Sequence, residues 1–275
     1  MFDELVEKIV LLKQEFRKSY SGNAHIQEII PLSISEKICI DAGHLSSLHN
    51  FMQKNAIYSN YYEEKILDVP CLVYEGDIND YWLNSIKHGS SCQPFYPTWM
   101  ISAYLLSLVS KNLGFTEMID IGSGDGRIAF CGSLVGLDAH SVEIDDVLVD
   151  LQKTIVSSTN ENFDPCCEDA LMLDYSKFHL EKPVFVIGGL AQMGGDVLAN
   201  SITEKIHSIT NLTKNTGLVL TGTNSKRHLS NNSKNGGWDS FVKQHNLSIL
   251  ETISLPTVWT FDQTVETPYL FTKFT

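Results

Sequence analysis

The chain has few basic residues and no cluster of them. Of its 275 residues, 20 are Lys or Arg and 33 are Asp or Glu, so the formal net charge is −13, and the pI is near 5.0. Basic residues are adjacent only at Arg17-Lys18 and Lys226-Arg227. Because such an acidic surface repels phosphate groups, the composition disfavours a nucleic acid as the partner.

The sequence also lacks the patterns of a zinc site, a transmembrane helix and a secreted protein. Its six cysteines form no Cys-x-x-Cys pair, and no His-Glu-x-x-His occurs. The longest apolar stretch, residues 99–109, is too short to span a bilayer. Residues 1–4 are acidic at two positions and do not resemble a signal peptide. We therefore expect no bound metal, no membrane association and a cytoplasmic location.

What the sequence does contain is a glycine-rich segment after a short apolar run. Asp120 ends the run, and Gly122, Gly124 and Gly126 follow at every second position. Glycine lets the backbone turn sharply and lets a ligand approach without meeting a Cβ atom. The apolar residues 128–130 predict a helix behind the turn, and the first N–H groups of a helix are unpaired. A strand, a glycine turn and a helix in this order are typical of a nucleotide-binding α/β domain.

Apolar strands and amphipathic helices alternate after residue 95, which predicts a doubly wound α/β sheet with helices on both faces. Helices are predicted at residues 99–112, 127–137, 146–157 and 197–211. The predicted strands are residues 118–121, 141–144, a short segment that ends near 167, 183–188, 217–221, 248–255 and 269–274. The polar stretch 224–237 is predicted to be a mobile surface loop.

The first third of the chain has weaker periodicity. Residues 3–20 predict a helix, because apolar residues recur at helical spacing. Residues 21–93 show no regular apolar periodicity. They contain short strand-like runs at 37–40 and 70–74 and frequent aromatic residues. We therefore expect residues 1–94 to form an N-terminal α+β region that covers or receives the substrate, and residues 95–275 to form the second domain.

Residues 120–126, Asp-Ile-Gly-Ser-Gly-Asp-Gly, resemble motif I of the class I methyltransferases that use S-adenosylmethionine (SAM). The resemblance covers about residues 95–275 and implies a Rossmann-like seven-stranded sheet that binds SAM and S-adenosylhomocysteine. It implies that Asp120, Gly122, Ser123, Gly124 and Gly126 contact the cofactor. A dinucleotide-binding turn would instead read G-x-G-x-x-G, so the spacing disfavours an NAD(P) oxidoreductase.

Further cofactor residues follow from the same resemblance. Glu143 ends the second predicted strand, close to the spacing of about 20 residues expected for an acid that binds the ribose hydroxyls, and Ile144 follows it. After the third strand, Asp169 is expected to accept from the adenine amine and Ala170 to cover the ring. The alternative for Asp169 is a helix N-cap. Gly188, which ends the fourth strand, completes this set.

Tyr96-Pro97-Thr98 and the string Gly-Ser-Gly-Asp-Gly-Arg resemble archaeal-type protein-lysine methyltransferases, in which an aromatic-x-Pro-Thr step closes over the cofactor. A plain helix start is the alternative for Tyr96. Residues 188–191, Gly-Gly-Leu-Ala, stand where enzymes that methylate the amines of nucleic-acid bases carry Asn/Asp-Pro-Pro-aromatic. Pro165-Cys166 precedes the predicted third strand, so it is not expected to act as the Pro-Cys nucleophile of the C5-cytosine enzymes.

Three functions remain open at this stage, and no catalytic residue is identified. The first is methyl transfer to a protein side chain such as lysine, because an acidic enzyme attracts a basic substrate. Tyr74, Tyr81 and Trp82 are then expected to line a channel for that side chain. The second is a small-molecule methyltransferase with residues 21–93 as its lid. The third is a SAM-binding interaction module that has lost catalysis. The oligomeric state is left open.

Overall fold

The computed structural model describes residues 2–34, 38–85, 95–209, 212–224, 234–257 and 266–275. Most of the loop predicted at 224–237 lies outside these ranges. No helix in the described ranges is long and apolar enough to cross a membrane.

The larger of two sheets has seven strands and contains the glycine turn. Its strands are β4 (Glu117–Ile121), β5 (Asp138–Glu143), β6 (Asp164–Cys167), β7 (Pro183–Ile187), β8 (Gly217–Thr221), β9 (Leu247–Pro256) and β10 (Glu266–Phe274). Their spatial order is β6-β5-β4-β7-β8-β10-β9. Strands β4 to β8 pair in parallel, and β10 pairs antiparallel with both of its neighbours. This is the order of the Rossmann-like methyltransferase sheet, so the predicted fold class is confirmed.

The alternation of side chains along the strands creates one core on each face of this sheet. In β7, Val184 and Val186 pack into one core, and Phe185 and Ile187 pack into the other. Helices α4 (Met100–Asn112), α5 (Arg127–Leu134) and α6 (Asp146–Ser158) cover the first face, and α7 (Gly195–Ser208) and α8 (Asp239–Gln244) cover the second. Helix α8 was not predicted, because its six residues are too short for a periodic signal.

The N-terminal region is more regular than its sequence indicates. It contains α1 (Phe2–Ser19), β1 (Ile26–Pro31), α2 (Ala42–Lys54), β2 (Tyr58–Ile66), β3 (Val69–Gly76) and α3 (Asn79–Ser85). The strands form an antiparallel sheet in the order β1-β3-β2. The predicted helix at 3–20 and strand at 70–74 are confirmed. The strand predicted at 37–40 is wrong for residues 38–40, which belong to no strand, and residue 37 lies outside the described ranges.

Four elements of this region, β1, α2, β2 and α3, were not predicted, and the reason is physical for β2 and α2. Strand β2 is exposed at most positions on both faces, so it has no apolar alternation. Asp41 caps helix α2, and its carboxylate accepts from the N–H groups of Gly43 and His44. Serine, histidine and glycine dilute the apolar face of this helix. Strand β1 is buried along its whole length and shares a core with α4 and α5. The boundary at residue 94 stays a prediction, since residues 86–94 lie outside the described ranges.

Candidate functional site

The glycine turn lies at the carboxyl end of β4, between β5 and β7, where ligands bind in open α/β sheets. The N–H groups of Gly122 and Ser123 donate to the carbonyl oxygen of Val142 in β5, at 2.9 and 3.2 Å. Gly122, Gly124 and Gly126 have φ angles of 68°, 57° and 79°. These left-handed values explain the three glycines, because other residues adopt them only at a cost.

The glycines of this region differ in how much space a Cβ atom would find next to them. A Cβ atom built on Gly122 or on Gly188 meets no atom within 4 Å, so the sheet edge is open there. A Cβ atom on Gly124 would lie 2.4 Å from Cε2 of Phe95. One on Gly126, where α5 begins, would lie 2.8 Å from Cζ of Phe163. The open side of the turn therefore extends from Gly122 towards Gly188.

Asp120, the second-last residue of β4, has a buried carboxylate with one oxygen that has no partner among the described residues. The residue is 1% exposed, and its Oδ2 atom accepts no hydrogen bond from any described residue. Burial raises the pKa of Asp120 well above its usual range, and the nearby carboxylates of Glu143 and Asp125 raise the pKa further. Such an acceptor is suited to a ligand that brings a donor or a positive charge.

Glu143 lies at the end of β5 and faces the turn. Its Oε2 accepts from the N–H of Gly124 at 2.8 Å, and its Oε1 accepts from the N–H groups of Ile144 and Asp145 at 2.9 and 3.0 Å. Burial raises the pKa of Glu143, and these three N–H groups oppose that rise. The carboxylate thus supports the shape of the turn, and its remaining lone pairs can still accept from hydroxyl groups.

Gln152 is a residue of this site that the sequence reasoning missed. Its Nε2 donates to Oγ of Ser123 at 2.9 Å and to the carbonyl oxygen of Gly124 at 2.7 Å. Its Oε1 accepts from Oγ of Ser141 at 2.6 Å. Gln152 is fully buried on the apolar face of α6. A polar residue on that face was the available signal, because buried amides need fixed partners.

Asp169 and Ala170 follow β6 at the same edge of the sheet. Oδ1 of Asp169 accepts from the N–H of Leu171 at 2.8 Å, and its carbonyl oxygen accepts from the N–H of Leu173 at 3.0 Å. Asp169 therefore begins a short turn in the manner of an N-cap. The carbonyl oxygen of Ala170 accepts from the hydroxyl of Tyr175 at 3.0 Å. Both residues are half-buried. Pro165 and Cys166, expected before the third strand, lie within β6 itself.

The aromatic residues are arranged differently from the expectation. Tyr96 is 39% exposed, whereas the neighbouring Phe95 packs against Gly124. Tyr81 faces Phe95, with 6.4 Å between ring centroids. Tyr74 is fully buried, and its hydroxyl lies 2.7 Å from Nδ1 of His49. A substrate channel lined by Tyr74 is therefore wrong, because its ring belongs to the core of the N-terminal sheet.

Asp125 and Arg127, the charged residues of the turn, form a buried ion pair. Nε and Nη2 of Arg127 donate to Oδ1 and Oδ2 of Asp125, at 2.9 and 2.6 Å. Nδ2 of Asn55, at the end of α2, donates to the same Oδ2 at 2.9 Å. This contact between the turn and the N-terminal region had no signal in the sequence, because it joins residues 70 positions apart.

A cavity of about 560 Å³ lies elsewhere, between α2 and the residues that follow α6. Serine, asparagine and glutamine side chains line much of it, together with Phe130 and Glu161. None of the predicted cofactor residues lines this cavity, so we do not place the cofactor there. Within the described ranges, no group of three His, Cys, Asp or Glu side chains is placed to hold a metal ion.

Comparison with known proteins gives structural likeness only. No protein-family model matches the chain, and no curated protein matches its sequence. The magnesium protoporphyrin IX methyltransferase of Synechocystis PCC 6803, solved with bound SAM, is 14% identical, with a TM-score of 0.45 over 64% of this chain and 78% of that one. The tRNA (uracil-54, C5)-methyltransferase of Pyrococcus abyssi, in complex with S-adenosylhomocysteine, is 14% identical, with a TM-score of 0.46 over 78% and 44%.

A protein from Thermoplasma acidophilum is 15% identical, with a TM-score of 0.42 over 72% of this chain and 98% of that one. Identities and TM-scores this low do not assign a family. The fold described above therefore rests on the strand order of this chain, and its function on the residues at the sheet edge.

Proposed function

We propose that the protein is a SAM-dependent methyltransferase. The observation that carries the proposal is the open glycine turn between two buried acids, Asp120 and Glu143, at the carboxyl ends of neighbouring parallel strands. A ligand in this position lies against glycine backbone at Gly122 and Gly188, where a side chain would fill the space.

The donor set of the site fits SAM. SAM carries a sulfonium and an ammonium group, and Asp120 offers a buried carboxylate oxygen without a partner among the described residues. Glu143 offers the acceptor oxygens that ribose hydroxyls require. Asp169 follows the next strand, β6, by two residues, in the position that the resemblance implies for adenine. The acids at or after the ends of β4, β5 and β6 thus occur in the same order as the methionine, ribose and adenine parts of SAM.

SAM supplies an activated methyl group, so the protein's contribution is chiefly to bind it and to place the acceptor in line with it. The buried network of Ser123, Gly124 and Gln152 holds the turn in one shape for this purpose. No described side chain is placed clearly enough to be named a general base, and methyl transfer does not require one in every case.

For the acceptor we propose a lysine side chain of a basic protein. The support is the net charge of −13, together with Gly188-Gly189-Leu190-Ala191 after β7, which lacks the aromatic residue that stacks on a flipped base. Attraction between opposite charges favours such a partner over an RNA or DNA backbone.

Binding of S-adenosylhomocysteine tests the cofactor. Calorimetry with the wild-type protein is expected to show saturable binding, and the ligand is expected to raise the melting temperature. Glu143→Ala is expected to weaken binding by about 1.5–3 kcal/mol, the range for a hydrogen bond to a charged group, and Glu143→Gln by less. No heat and no thermal shift at millimolar ligand would contradict the cofactor assignment.

Methylation of a cell lysate with radioactive SAM tests the acceptor. The label is expected to be lost on protease digestion, to persist after nuclease treatment, and to appear as methyllysine on amino-acid analysis. Label that follows RNA would contradict the protein acceptor. Label that passes a small-pore filter would instead support the small-molecule alternative. A protein that binds SAM yet transfers no label in any fraction would point to the module without catalysis.

A further inference from the structure

The guanidinium of Arg127 is fully enclosed and joins four separate parts of the chain. Arg127 is 1% exposed. Besides Asp125, it donates from Nη1 to Oε1 of Glu28 in β1 and to the carbonyl oxygen of Thr98, both at 2.6 Å. Its Nη2 also donates to the hydroxyl of Tyr58, the first residue of β2, at 3.0 Å. The glycine turn, both outer strands of the N-terminal sheet and the segment before α4 therefore meet on one side chain.

The partners of Arg127 are themselves held in place. Oε2 of Glu28 accepts from the N–H of Met100, the first residue of α4, at 2.9 Å. The hydroxyl of Tyr58 donates to Oε1 of Glu28 at 3.3 Å. Asn55 donates to Asp125 from the end of α2 and to no other carboxylate among the described residues. A change in the position of one group therefore shifts the others, because Oε1 of Glu28 accepts from both Arg127 and Tyr58, and Oδ2 of Asp125 accepts from both Arg127 and Asn55.

The charges of Arg127, Asp125 and Glu28 stabilise the contact between the glycine turn and the N-terminal sheet. Burial alone would lower the pKa of Arg127, but Asp125, Tyr58 and Glu28 outweigh burial and raise it. Burial raises the pKa of Glu28, and Arg127 opposes that rise. A buried ion that loses its partner is strongly unfavourable, so the N-terminal sheet and the turn cannot separate without solvating three charges.

The turn depends on residues outside it for a single conformation: Val142, Glu143 and Gln152 hold its first half, and the contacts of Arg127 hold Asp125 in its second half. Three of the five residues 122–126 are glycines with left-handed φ angles, and glycine has more backbone freedom than any other residue. A turn of this kind binds a ligand tightly only when contacts from outside restrict it beforehand. Asp125, between two of the glycines, is the point at which the Arg127 cluster holds it.

We propose that Arg127 is a positioning residue that couples cofactor binding to the N-terminal sheet. This inference rests on the proposed function. Strands β1 and β2 then act as a fixed wall behind the cofactor turn rather than as a lid that opens and closes. Cofactor binding stabilises β1 and β2 through Arg127, and the two strands in turn raise cofactor affinity, because such coupling is reciprocal.

Hydrogen–deuterium exchange with and without S-adenosylhomocysteine tests the coupling. In the wild type, the ligand is expected to slow exchange in β1 and at the start of β2, although no predicted cofactor residue lies in either strand. Arg127→Lys keeps the charge but not the forked geometry. It is expected to weaken S-adenosylhomocysteine binding about tenfold or more and to abolish the slowing in β1.

Tyr58→Phe is the milder variant, because it removes one hydroxyl and keeps the ring. It is expected to weaken binding about threefold and to reduce the slowing in β1, without unfolding the protein. Lys243→Gln is the control, since it breaks an ion pair with Asp239 on α8 that touches neither the turn nor the N-terminal sheet. Its affinity and exchange pattern are expected to equal those of the wild type.

The two proposals fail in different ways. A wild-type protein that binds no S-adenosylhomocysteine overturns the proposed function, and the coupling with it. A wild type that binds the ligand but shows no slowing in β1 or β2 overturns the coupling alone. So does a folded Tyr58→Phe protein with wild-type affinity and exchange. If Arg127→Lys does not fold, the Tyr58→Phe result decides.

Discussion

Asp120, in β4, and Asp125, in the glycine turn that follows it, are equally buried, at 1% exposure each, but their surroundings are opposite. The carboxylate of Asp125 accepts from Arg127 and from Asn55. Oδ2 of Asp120 accepts from no described residue, and its neighbours include two further carboxylates. One side of the turn is therefore closed by ion pairs towards the N-terminal sheet, whereas the buried acid just before the turn keeps one oxygen without a partner among the described residues.

The difference separates structural from binding residues. A buried charge with a full set of partners contributes to a fixed structure. A buried charge without them raises the energy of the folded protein, and such groups persist mainly at functional sites. On this argument, substitution of Asp125 lowers stability, whereas substitution of Asp120 lowers ligand affinity.

The largest expected effect belongs to Asp125→Ala. Removal of this carboxylate leaves Arg127 with Glu28 as its only described carboxylate partner, so the free energy of unfolding is expected to fall by about 3–5 kcal/mol. Urea denaturation followed by circular dichroism measures the change. Lys243→Gln, which removes a lysine with a 73% exposed side chain from its ion pair with Asp239, is the control and is expected within about 1 kcal/mol of the wild type. A loss below about 1 kcal/mol for Asp125→Ala would mean that the closed side of the turn is not held by this pair.

Lys13 is a further buried charge near Glu28, on the side of the turn that contacts the N-terminal sheet. It is 2% exposed and lies 5.1 Å from the ring centroid of Trp99. Burial lowers the pKa of Lys13 from 10.5 to about 8, and Glu28 opposes that change. Between these values the unfolded chain holds a proton that the folded chain has released, so stability rises with pH in this window.

Lys13→Met is therefore expected to raise the free energy of unfolding at pH 7 by about 2–3 kcal/mol. At pH 9.5 the advantage over the wild type is expected to shrink by about 2 kcal/mol. Urea denaturation of both proteins at the two pH values measures this difference in the free energy of unfolding. An advantage that is the same at both pH values would show that Lys13 keeps its proton in the folded protein.

Asp120→Asn is expected to change stability in the opposite direction to Asp125→Ala. The pKa of Asp120 is raised in the folded protein, mainly by burial. Its contribution to stability is therefore present at low pH and is lost as pH rises above the pKa that Asp120 has in the unfolded chain. At pH 7 the variant is expected to be more stable by about 1–2 kcal/mol and to bind S-adenosylhomocysteine more weakly. A variant that loses both stability and affinity would break the contrast between the two aspartates.

The smallest effect on stability is expected for Gly122→Ala, and Gly114→Ala is its matched control. Both glycines have positive φ angles, and a Cβ atom on either meets nothing within 4 Å. Each substitution is expected to cost about 1 kcal/mol of folding free energy through backbone strain alone. Only Gly122→Ala is expected to reduce S-adenosylhomocysteine binding in calorimetry. Equal affinities for the two variants would mean that the cofactor does not lie against Gly122.

The α/β half of the chain was largely predictable from its sequence. The predicted strands at 118–121, 183–188 and 217–221 match β4, β7 and β8 to within one residue at each end. These strands are buried on both faces, so β7 and β8 are short continuous apolar runs bounded by glycine, proline or polar residues, and β4 is such a run interrupted only by Asp120. In the N-terminal sheet only β3 was predicted, because β2 is polar on both faces and β1 is a short run without alternation.

At the candidate site, the amino-acid sequence alone established the glycine turn, the two acids that flank it and the helix behind it. These depend on local chemistry, namely left-handed φ angles and strand ends, which a few neighbouring residues specify. The three-dimensional structure decided the rest: that Phe95 rather than Tyr96 covers Gly124, that Gln152 holds the turn, and that Arg127 binds Glu28, 99 positions away. Such contacts depend on which elements pack together, and no periodicity or spacing along the chain encodes a hydrogen bond between distant residues.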